Sequence, residues 1–235
     1  MNAAINHVIQ RQDTWLGRTA YNEAQAPNTG LSSGFKKLDE ELYGHGWPTG
    51  NTIELLSDGA GLGSMGLFLP AMEQLSKQGR WQVFIAPPCM PYAPLLEARD
   101  IDVQQVLLVH PKNRQDLLWS IEQALRSSTC SAVFGWMGNE KFSYSELRKL
   151  QLAAANTDVF SVLFRSREAG FNHSPAALRL EMKAYREVHI LKQRGGNQYI
   201  DVELSNEDDV PGQPQLWELP SYPEYQHTAA SSLSA

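Results

Sequence analysis

Apolar residues follow two different spacings along this chain, and together they predict strands that alternate with helices. Largely apolar runs without regular alternation cover residues 51–56, 80–88, 103–111, 131–138 and 159–166. Between these runs, apolar residues recur at helical spacing over 65–75, 94–99, 114–126 and 144–155. Strands that are apolar on both faces and separated by helices are typical of a buried, mostly parallel sheet. The predicted fold class is therefore α/β, with helices flanking the sheet.

The pattern changes after residue 166. Residues 178–182 alternate in a way that fits a strand as easily as a helix. Beyond them, Val188 and Ile190 alternate with polar residues, Gly195 and Gly196 supply a turn, and residues 199–202 return with apolar alternation. This arrangement predicts a C-terminal β-hairpin.

Composition divides the chain into a central domain and two flexible termini. Residues 1–28 are polar, with scattered apolar side chains and a linker, and residues 29–204 carry the strand and helix pattern. Residues 205–235 are acidic and rich in proline, which is typical of a flexible tail. Trp217 and Tyr222 in this tail are candidate partner-binding residues, because aromatic side chains in such tails often serve as short recognition segments.

Charge and composition exclude several classes of protein. The chain has 235 residues, 42% of them hydrophobic, which is enough for one sizeable core. A net charge of -6 argues against a general nucleic-acid binder and leaves only a weak, local contact with DNA. The sequence contains neither a signal peptide nor an apolar run long enough for a membrane span, so we expect a cytoplasmic protein without membrane contact. The histidines lack ligand spacing, which predicts no metal site.

A glycine-rich loop after the first strand is the main candidate for chemistry. Gly59, Gly61 and Gly63 lie between the strand and the following helix, and Ser64 comes next. Strand, glycine-rich loop and helix form the layout of a phosphate-binding loop. That chemistry also needs a lysine before the hydroxyl residue, and residues 51–73 contain neither lysine nor arginine. We therefore predict a degenerate phosphate loop, with no catalytic residues and no cofactor.

Further residues carry smaller predictions. Ser32 or Ser33 is placed to cap the helix that follows, and Pro70 should kink the helix in which it lies. We expect both cysteines, Cys89 and Cys130, to be reduced and buried. Trp81, Phe84 and Trp136 lie in apolar strands and are assigned to the core. Lys192 and Arg194, on the hairpin, are candidates for a contact with DNA or a partner protein.

The stretch 29–57, TGLSSGFKKLDEELYGHGWPTGNTIELLS, resembles the start of the RecA core. In that family a Thr-Gly, a short helix with Leu-Asp and a Gly-x-Pro-x-Gly turn precede the strand of the phosphate loop. The resemblance implies a RecA-like fold over about 29–166. The loop lysine of that family falls on Gly63, its catalytic glutamate on Pro88, and the aspartate of its next major strand near Trp136. These three departures imply a pseudo-ATPase.

Short segments of the chain also resemble two narrower protein families. GRWQVFIAPP and CSAVFGWM resemble strands of SulA, the SOS-induced inhibitor that binds the division protein FtsZ. APPCMPYAP, LRKLQLAAANTDVFSVLFRS, SPAALRLEM and LKQRGG are similar to ImuA, the SulA-like partner of ImuB and an error-prone polymerase in bacterial mutagenesis. Arg80 matches an arginine of the SulA family, whereas the tryptophan and lysine around its FtsZ-facing surface align with Leu95 and Gln105.

The ImuA resemblance implies a non-catalytic adaptor of the SOS response that supports translesion DNA synthesis. Its partners would be ImuB, the error-prone polymerase or RecA. One alternative is a SulA-type division inhibitor that binds FtsZ. A second alternative is a nucleotide-binding ATPase with an atypical phosphate loop.

Overall fold

The computed structural model describes residues 30–58, 64–184 and 186–204, and these form a single sheet with helices on both faces. The strands are β1 (Thr52–Leu56), β2 (Trp81–Ile85), β3 (Val106–Val109), β4 (Cys130–Trp136), β5 (Phe160–Arg165), β6 (Leu178–Ala184), β7 (Glu187–Gln193) and β8 (Ile200–Glu203). The helices are α1 (Lys36–Glu41), α2 (Leu69–Ser76), α3 (Ala93–Ala98), α4 (Arg114–Arg126) and α5 (Tyr144–Ala155). Short 3-10 turns cover Gly66–Phe68, Val103–Gln105 and Arg167–Phe171.

The strands follow the order β3-β2-β4-β5-β1-β6-β7-β8 across the sheet. All pairs from β3 to β6 are parallel, and β7 is antiparallel to both β6 and β8. The first six strands therefore end at one edge of the sheet, which we call the carboxyl edge. The mixed α/β fold, its mostly parallel sheet and the C-terminal hairpin are confirmed, and residues 178–182 form a strand.

Two apolar clusters cover the two faces of the sheet. On one face, Trp47 and Phe68 pack with Phe134 and Phe160, with ring centroids 5.2–6.3 Å apart. On the other face, α4 and α5 bury leucines and isoleucine such as Ile121 against β4 and β5. Alternate residues of β2, β4 and β5 enter opposite clusters, as the two-residue period of a strand requires.

Two local predictions about helix geometry were wrong. Pro70 lies in the first turn of α2, where its missing N–H costs no helical hydrogen bond, so it starts the helix without kinking it. The N-cap of α1 is Phe35, with no side-chain cap. Ser32 Oγ instead donates to Asp39 over 2.8 Å, and the Ser33 backbone N–H donates to the same carboxylate over 2.9 Å.

Two predictions of burial were also wrong. Cys130 is buried, but Cys89 is exposed, because it follows β2 in a proline-rich connection on the surface. Trp81 is 39% exposed at the start of β2, whereas Phe84 in the same strand is buried. None of the helices in the described ranges has the length and apolar character needed to cross a membrane.

Candidate functional site

An open apolar groove lies at the carboxyl edge of the sheet, where β1, β2, β4 and β5 end. Its volume is about 460 Å³. Its apolar lining comprises Met65, Leu69, Phe84, Pro87, Pro88, Met90, Pro91, Tyr92, Leu95, Leu96, Trp136 and Phe164, together with Cys89. In parallel α/β sheets, this end of the strands is the usual place for a binding site.

The connection from β2 to α3 forms one wall of the groove. Ala86 takes a left-handed backbone with φ of 55°, and the two prolines that follow fix an extended path with no free N–H. The connection consequently holds large side chains away from the core, and Met90 and Tyr92 are 74% and 52% exposed. An apolar surface of this kind is typical of a docking site for another polypeptide.

Aromatic stacking forms the floor of the groove. The Trp136 ring stacks on Phe164, with centroids 4.5 Å apart and an interplanar angle of 9°. Phe84 meets Trp136 edge-on, with centroids 5.8 Å apart. The assignment of Phe84 to the core is confirmed. Trp136 is only half-buried because one side of its indole faces the groove.

The polar part of the lining is small. It consists of Ser57, Ser64, Asn139, Arg165 and Ser166. Ser64 Oγ donates to Ser57 Oγ over 3.4 Å, a long and weak hydrogen bond. The described lining includes no carboxylate, histidine or lysine, the side chains that most often serve as general acid or base. What the arrangement can do is bind an apolar ligand or segment.

A buried ionic cluster lies beside the groove and is joined to it by Arg165. The carboxylate of Glu54, in the centre of β1, accepts hydrogen bonds from Arg165 Nη1 over 2.9 Å and Ser174 Oγ over 2.7 Å. Its other oxygen accepts from Arg179 Nε over 2.7 Å. Glu54, Arg165 and Arg179 are 1%, 4% and 6% exposed. We call these three residues with Ser174 the Glu54 cluster.

Backbone carbonyls complete the Glu54 cluster. Arg179 Nη2 donates to the Ala169 carbonyl over 2.7 Å, and its Nη1 donates to the Asn172 carbonyl over 3.0 Å. The cluster thereby fastens the Arg167–Phe171 turn and the chain that follows it to the sheet. The cluster is not among the features predicted from the sequence, although an acidic residue in the largely apolar run TIELL, with arginines in two other strands, is an available signal.

The hairpin cations take different positions. Lys192 is half-buried, and its Nζ donates to the Ser174 carbonyl over 2.8 Å. Burial lowers the pKa of Lys192, and the charges of Arg179 and Arg194 lower it further. Lys192 therefore acts locally within the fold, while Arg194 is exposed just after β7. Both lie at the edge opposite the groove, because β7 runs antiparallel to β1–β6.

Arg80 also lies far from the groove. It precedes β2, at the amino edge of the parallel strands, and makes a two-pronged ion pair with Asp158 at N–O distances of 2.9 and 3.0 Å. The hydrogen bond from Arg80 lowers the pKa of Asp158. Arg80 and the groove are therefore separate surfaces.

The remaining predicted site residues divide into two groups. Ser64, Pro88, Trp136 and Leu95 all line the groove, and Gln105 lies in the Val103–Gln105 turn. The loop glycines, residues 59, 61 and 63, and the tail aromatics, residues 217 and 222, lie outside the described residues. In the ranges that the structure covers, no set of three or more His, Cys, Asp or Glu residues could hold a metal ion.

Comparison with known proteins finds similarity in the part of the chain that supplies most of the groove. Residues 55–161 match the family model described as "Cell division inhibitor SulA". This central segment is SulA-like. The match starts in β1 and ends in β5, so it contains the whole β2–α3 connection and β4.

Individual SulA proteins align with the chain over about 90–100 residues, a length similar to that of the family match. The chain is similar to the cell division inhibitor SulA of Edwardsiella piscicida, with 32% identity over 91 residues, which is 38% of this chain and 54% of the relative. The SulA of Cronobacter sakazakii is 28% identical over 99 residues, 42% of this chain and 58% of the relative. The chain thus spans little more than half the length of these relatives. The crystal structure of SulA from Pseudomonas aeruginosa aligns with 51% of this chain and 98% of that one, at 24% identity and a TM-score of 0.38.

Proposed function

We propose that this protein is a non-catalytic, SulA-type inhibitor of cell division in the SOS response, and that it binds FtsZ. The observation that carries this proposal is the match of residues 55–161 to the SulA family model. That segment supplies β2 to β4, the α3 wall and most of the lining of the groove. The assignment therefore rests on the part of the chain that forms the candidate site.

The groove supports a protein as the ligand. Its lining is dominated by proline, aromatic and aliphatic side chains, and Met90 and Tyr92 extend the apolar surface beyond it. Enriched aromatic residues and methionine with few charges are typical of the centre of a protein interface. A binding role needs no acid–base pair, which agrees with the composition of the described lining.

We also infer that the core is of RecA type and has lost nucleotide chemistry. The support is topological: β1 lies between β5 and β6 in the sheet, and the glycine-rich segment follows β1 in the sequence. Pro88 and Trp136, which align with the acidic positions of the RecA family, both line the groove. Apolar side chains at these positions leave no carboxylate to hold magnesium or activate water there.

Purified components test the main proposal. FtsZ is allowed to polymerise with GTP, and the pelleted fraction is measured with increasing amounts of this protein. We expect the pelleted fraction to fall until the two proteins are equimolar, with bovine serum albumin as the inert control. Unchanged polymerisation at a several-fold molar excess would refute the proposal. Saturable hydrolysis of magnesium-ATP by this protein alone would refute its non-catalytic character.

A translesion-synthesis adaptor is the second candidate function. It is favoured by β6, β7 and β8, three strands of the described sheet that lie outside the SulA-matched segment. It is also favoured by Leu95 and Gln105, which stand where the SulA family is expected to have tryptophan and lysine. The partners would be ImuB, the error-prone polymerase or RecA. Capture of purified ImuB without any effect on FtsZ would favour this function over division inhibition.

A further inference from the structure

The last described strand leaves the sheet near the groove. The Leu204 N–H donates to the Arg186 carbonyl over 2.8 Å, which places the end of β8 at the carboxyl edge. Leu204 is 4% exposed and belongs to the same apolar cluster as Leu69, Phe84 and Phe164, all of which line the groove. The chain therefore leaves β8 at the edge that carries the groove and on the same face of the sheet.

The described chain begins at a different place. The Gly30 N–H donates a hydrogen bond to the Gly44 carbonyl, and Leu31 forms a β-bridge with Trp47, just before the amino end of β1. Residues 1–29 are thus attached toward the opposite edge of the sheet. Of the two terminal segments, residues 205–235 have the shorter path to the groove.

The chain after β8 is long enough for its aromatic segment to reach the groove. Between three and six strand positions separate β8 from β1, β5, β4 and β2, a distance of about 15–30 Å. The eleven residues 205–215 can span up to about 35–40 Å when extended. Residues 216–225 can consequently reach every part of the groove.

The chemistry of residues 216–225 matches the groove. Their sequence, LWELPSYPEY, combines one tryptophan and two tyrosines with two leucines and two prolines. Proline-rich segments bind readily in grooves lined by aromatic side chains, because their extended conformation is largely preformed. The segment contains glutamates and no lysine or arginine, and the described lining contains no carboxylate to repel it. Arg165 in the lining is already paired with Glu54, so the match is apolar and not ionic.

We propose that residues 216–225 bind in the carboxyl-edge groove of their own chain and compete there with a partner protein. Docking would cover apolar surface that is otherwise exposed at Met90 and Tyr92. A partner would bind only after displacing the segment, so the tail would act as a built-in inhibitor. The proposal concerns occupancy of the groove and holds whichever partner uses it.

Cys89 provides a probe of occupancy in the full-length protein. It is exposed and lines the groove, whereas Cys130 is buried. The rate at which an aromatic disulfide reagent modifies Cys89 is compared between the wild type and the double variant Trp217→Ala/Tyr222→Ala. A tethered segment has an effective concentration near millimolar, so one that binds with a Kd of about 0.1 mM leaves the groove open roughly a tenth of the time, and we expect the double variant to react about tenfold faster. Trp15→Ala is the matched control and should react like the wild type, and Cys89→Ser gives the background.

Two outcomes would overturn the proposal. An equal rate in the wild type and the double variant would show that the aromatic segment does not cover Cys89. Protection that disappears on dilution would assign the groove to the tail of a second copy.

A cross-link tests the same contact without removing any aromatic side chain. Under mild oxidation, Ser221→Cys should form an intramolecular disulfide with Cys89, detected by mass spectrometry after digestion. Ser232→Cys, eleven residues further along the tail, should cross-link at least several-fold less. Equal cross-linking from both positions would indicate a tail without a preferred site and would refute the proposal.

Discussion

The groove and the Glu54 cluster share Arg165 but are built on opposite principles. In the cluster, Glu54, Arg165 and Arg179 are almost fully buried, and each oxygen of the carboxylate has a partner within 3 Å. In the groove, large apolar side chains line an open cavity and some extend into solvent. One region pairs the charges that it buries, and the other leaves apolar surface uncovered.

The difference separates stabilisation from binding. A buried charge cluster of this kind resembles an active site. Its carboxylate, however, already accepts from the two arginines and the serine, and Arg179 also donates to backbone carbonyls. Exposed apolar surface has the reverse property, because covering it releases free energy when a ligand arrives. We therefore assign the cluster to the fold and the groove to function, and the following variants test that division.

The largest effect is expected from the Glu54 cluster. Glu54→Gln removes the carboxylate between Arg165 and Arg179 and leaves two buried guanidinium groups without an opposite charge. Losing one partner of a buried ion pair typically costs about 3–5 kcal/mol, so we expect the free energy of unfolding to fall by that amount. Urea denaturation measures it. Ser174→Ala, which removes only one hydroxyl donor to Glu54, should cost about 1 kcal/mol. If Glu54→Gln lowered the free energy of unfolding by less than about 1 kcal/mol, the cluster would not be a major element of stability.

An intermediate effect is expected from the floor of the groove. Trp136→Ala removes the stack on Phe164 and the edge contact with Phe84, but the indole is only half-buried. We expect a loss of about 2 kcal/mol, less than for a fully buried tryptophan. The matched control is Trp119→Ala on α4, where the side chain is 64% exposed and a change within about 0.5 kcal/mol is expected. A loss as small for Trp136 as for Trp119 would remove the stacked floor from the description of the groove.

The sequence predicted the sheet better than it predicted these two regions. Apolar runs and helical spacing locate the strands and helices, since both depend on local pattern. The Glu54 cluster depends on strand order, which brings β5 and β6 to either side of β1 and so unites residues 111 and 125 positions apart. No local pattern specifies that neighbourhood.

The same limit explains the errors at single residues. Cys89 and Trp81 belong to apolar stretches, but one follows the end of a strand and the other begins a strand, and burial falls at such ends. Arg80 was singled out by resemblance alone, and the sequence did not indicate its ion pair with Asp158, 78 positions away. Pro70 was predicted to kink a helix because the helix was assumed to begin earlier than Leu69.

A smaller effect is expected at the start of α5, where a polar network is exposed. Glu146 accepts from Arg114 Nη2 over 2.7 Å and completes a capping box with Ser143. The hydrogen bond from Arg114, followed by those from Ser143, lowers the pKa of Glu146 from 4.5 to about 2. A carboxylate with a lowered folded pKa stabilises the protein above its unfolded pKa. We expect Glu146→Gln to cost about 1 kcal/mol at neutral pH.

The pH dependence distinguishes the charge from the hydrogen bond. The difference in stability between the wild type and Glu146→Gln should shrink as pH falls from about 4.5 to about 2, because the wild-type carboxyl group becomes protonated over that window. Thermal melting across this range measures it. Glu122→Gln, which weakens an exposed i,i+4 pair with Arg126, is the control and should show a smaller difference. A gap between the Glu146 variant and the wild type that stays constant with pH would assign the effect to packing.

The smallest effect on stability is expected at the amino edge, where Arg80 and Asp158 form an ion pair with side chains 24% and 71% exposed. Arg80→Gln and Asp158→Asn break the same pair, so each should cost less than about 1 kcal/mol, and the two costs should be equal within error.

The consequences of these two variants for binding should differ. If FtsZ uses the arginine that the SulA resemblance singles out, Arg80→Gln weakens the inhibition of FtsZ polymerisation, whereas Asp158→Asn frees the guanidinium and preserves inhibition. We expect this asymmetry, because only one of the two variants removes the positive charge. Equal inhibition by both variants would instead assign partner binding to the carboxyl-edge groove alone, and equal loss would show that the pair acts by holding β2 and β5 in place.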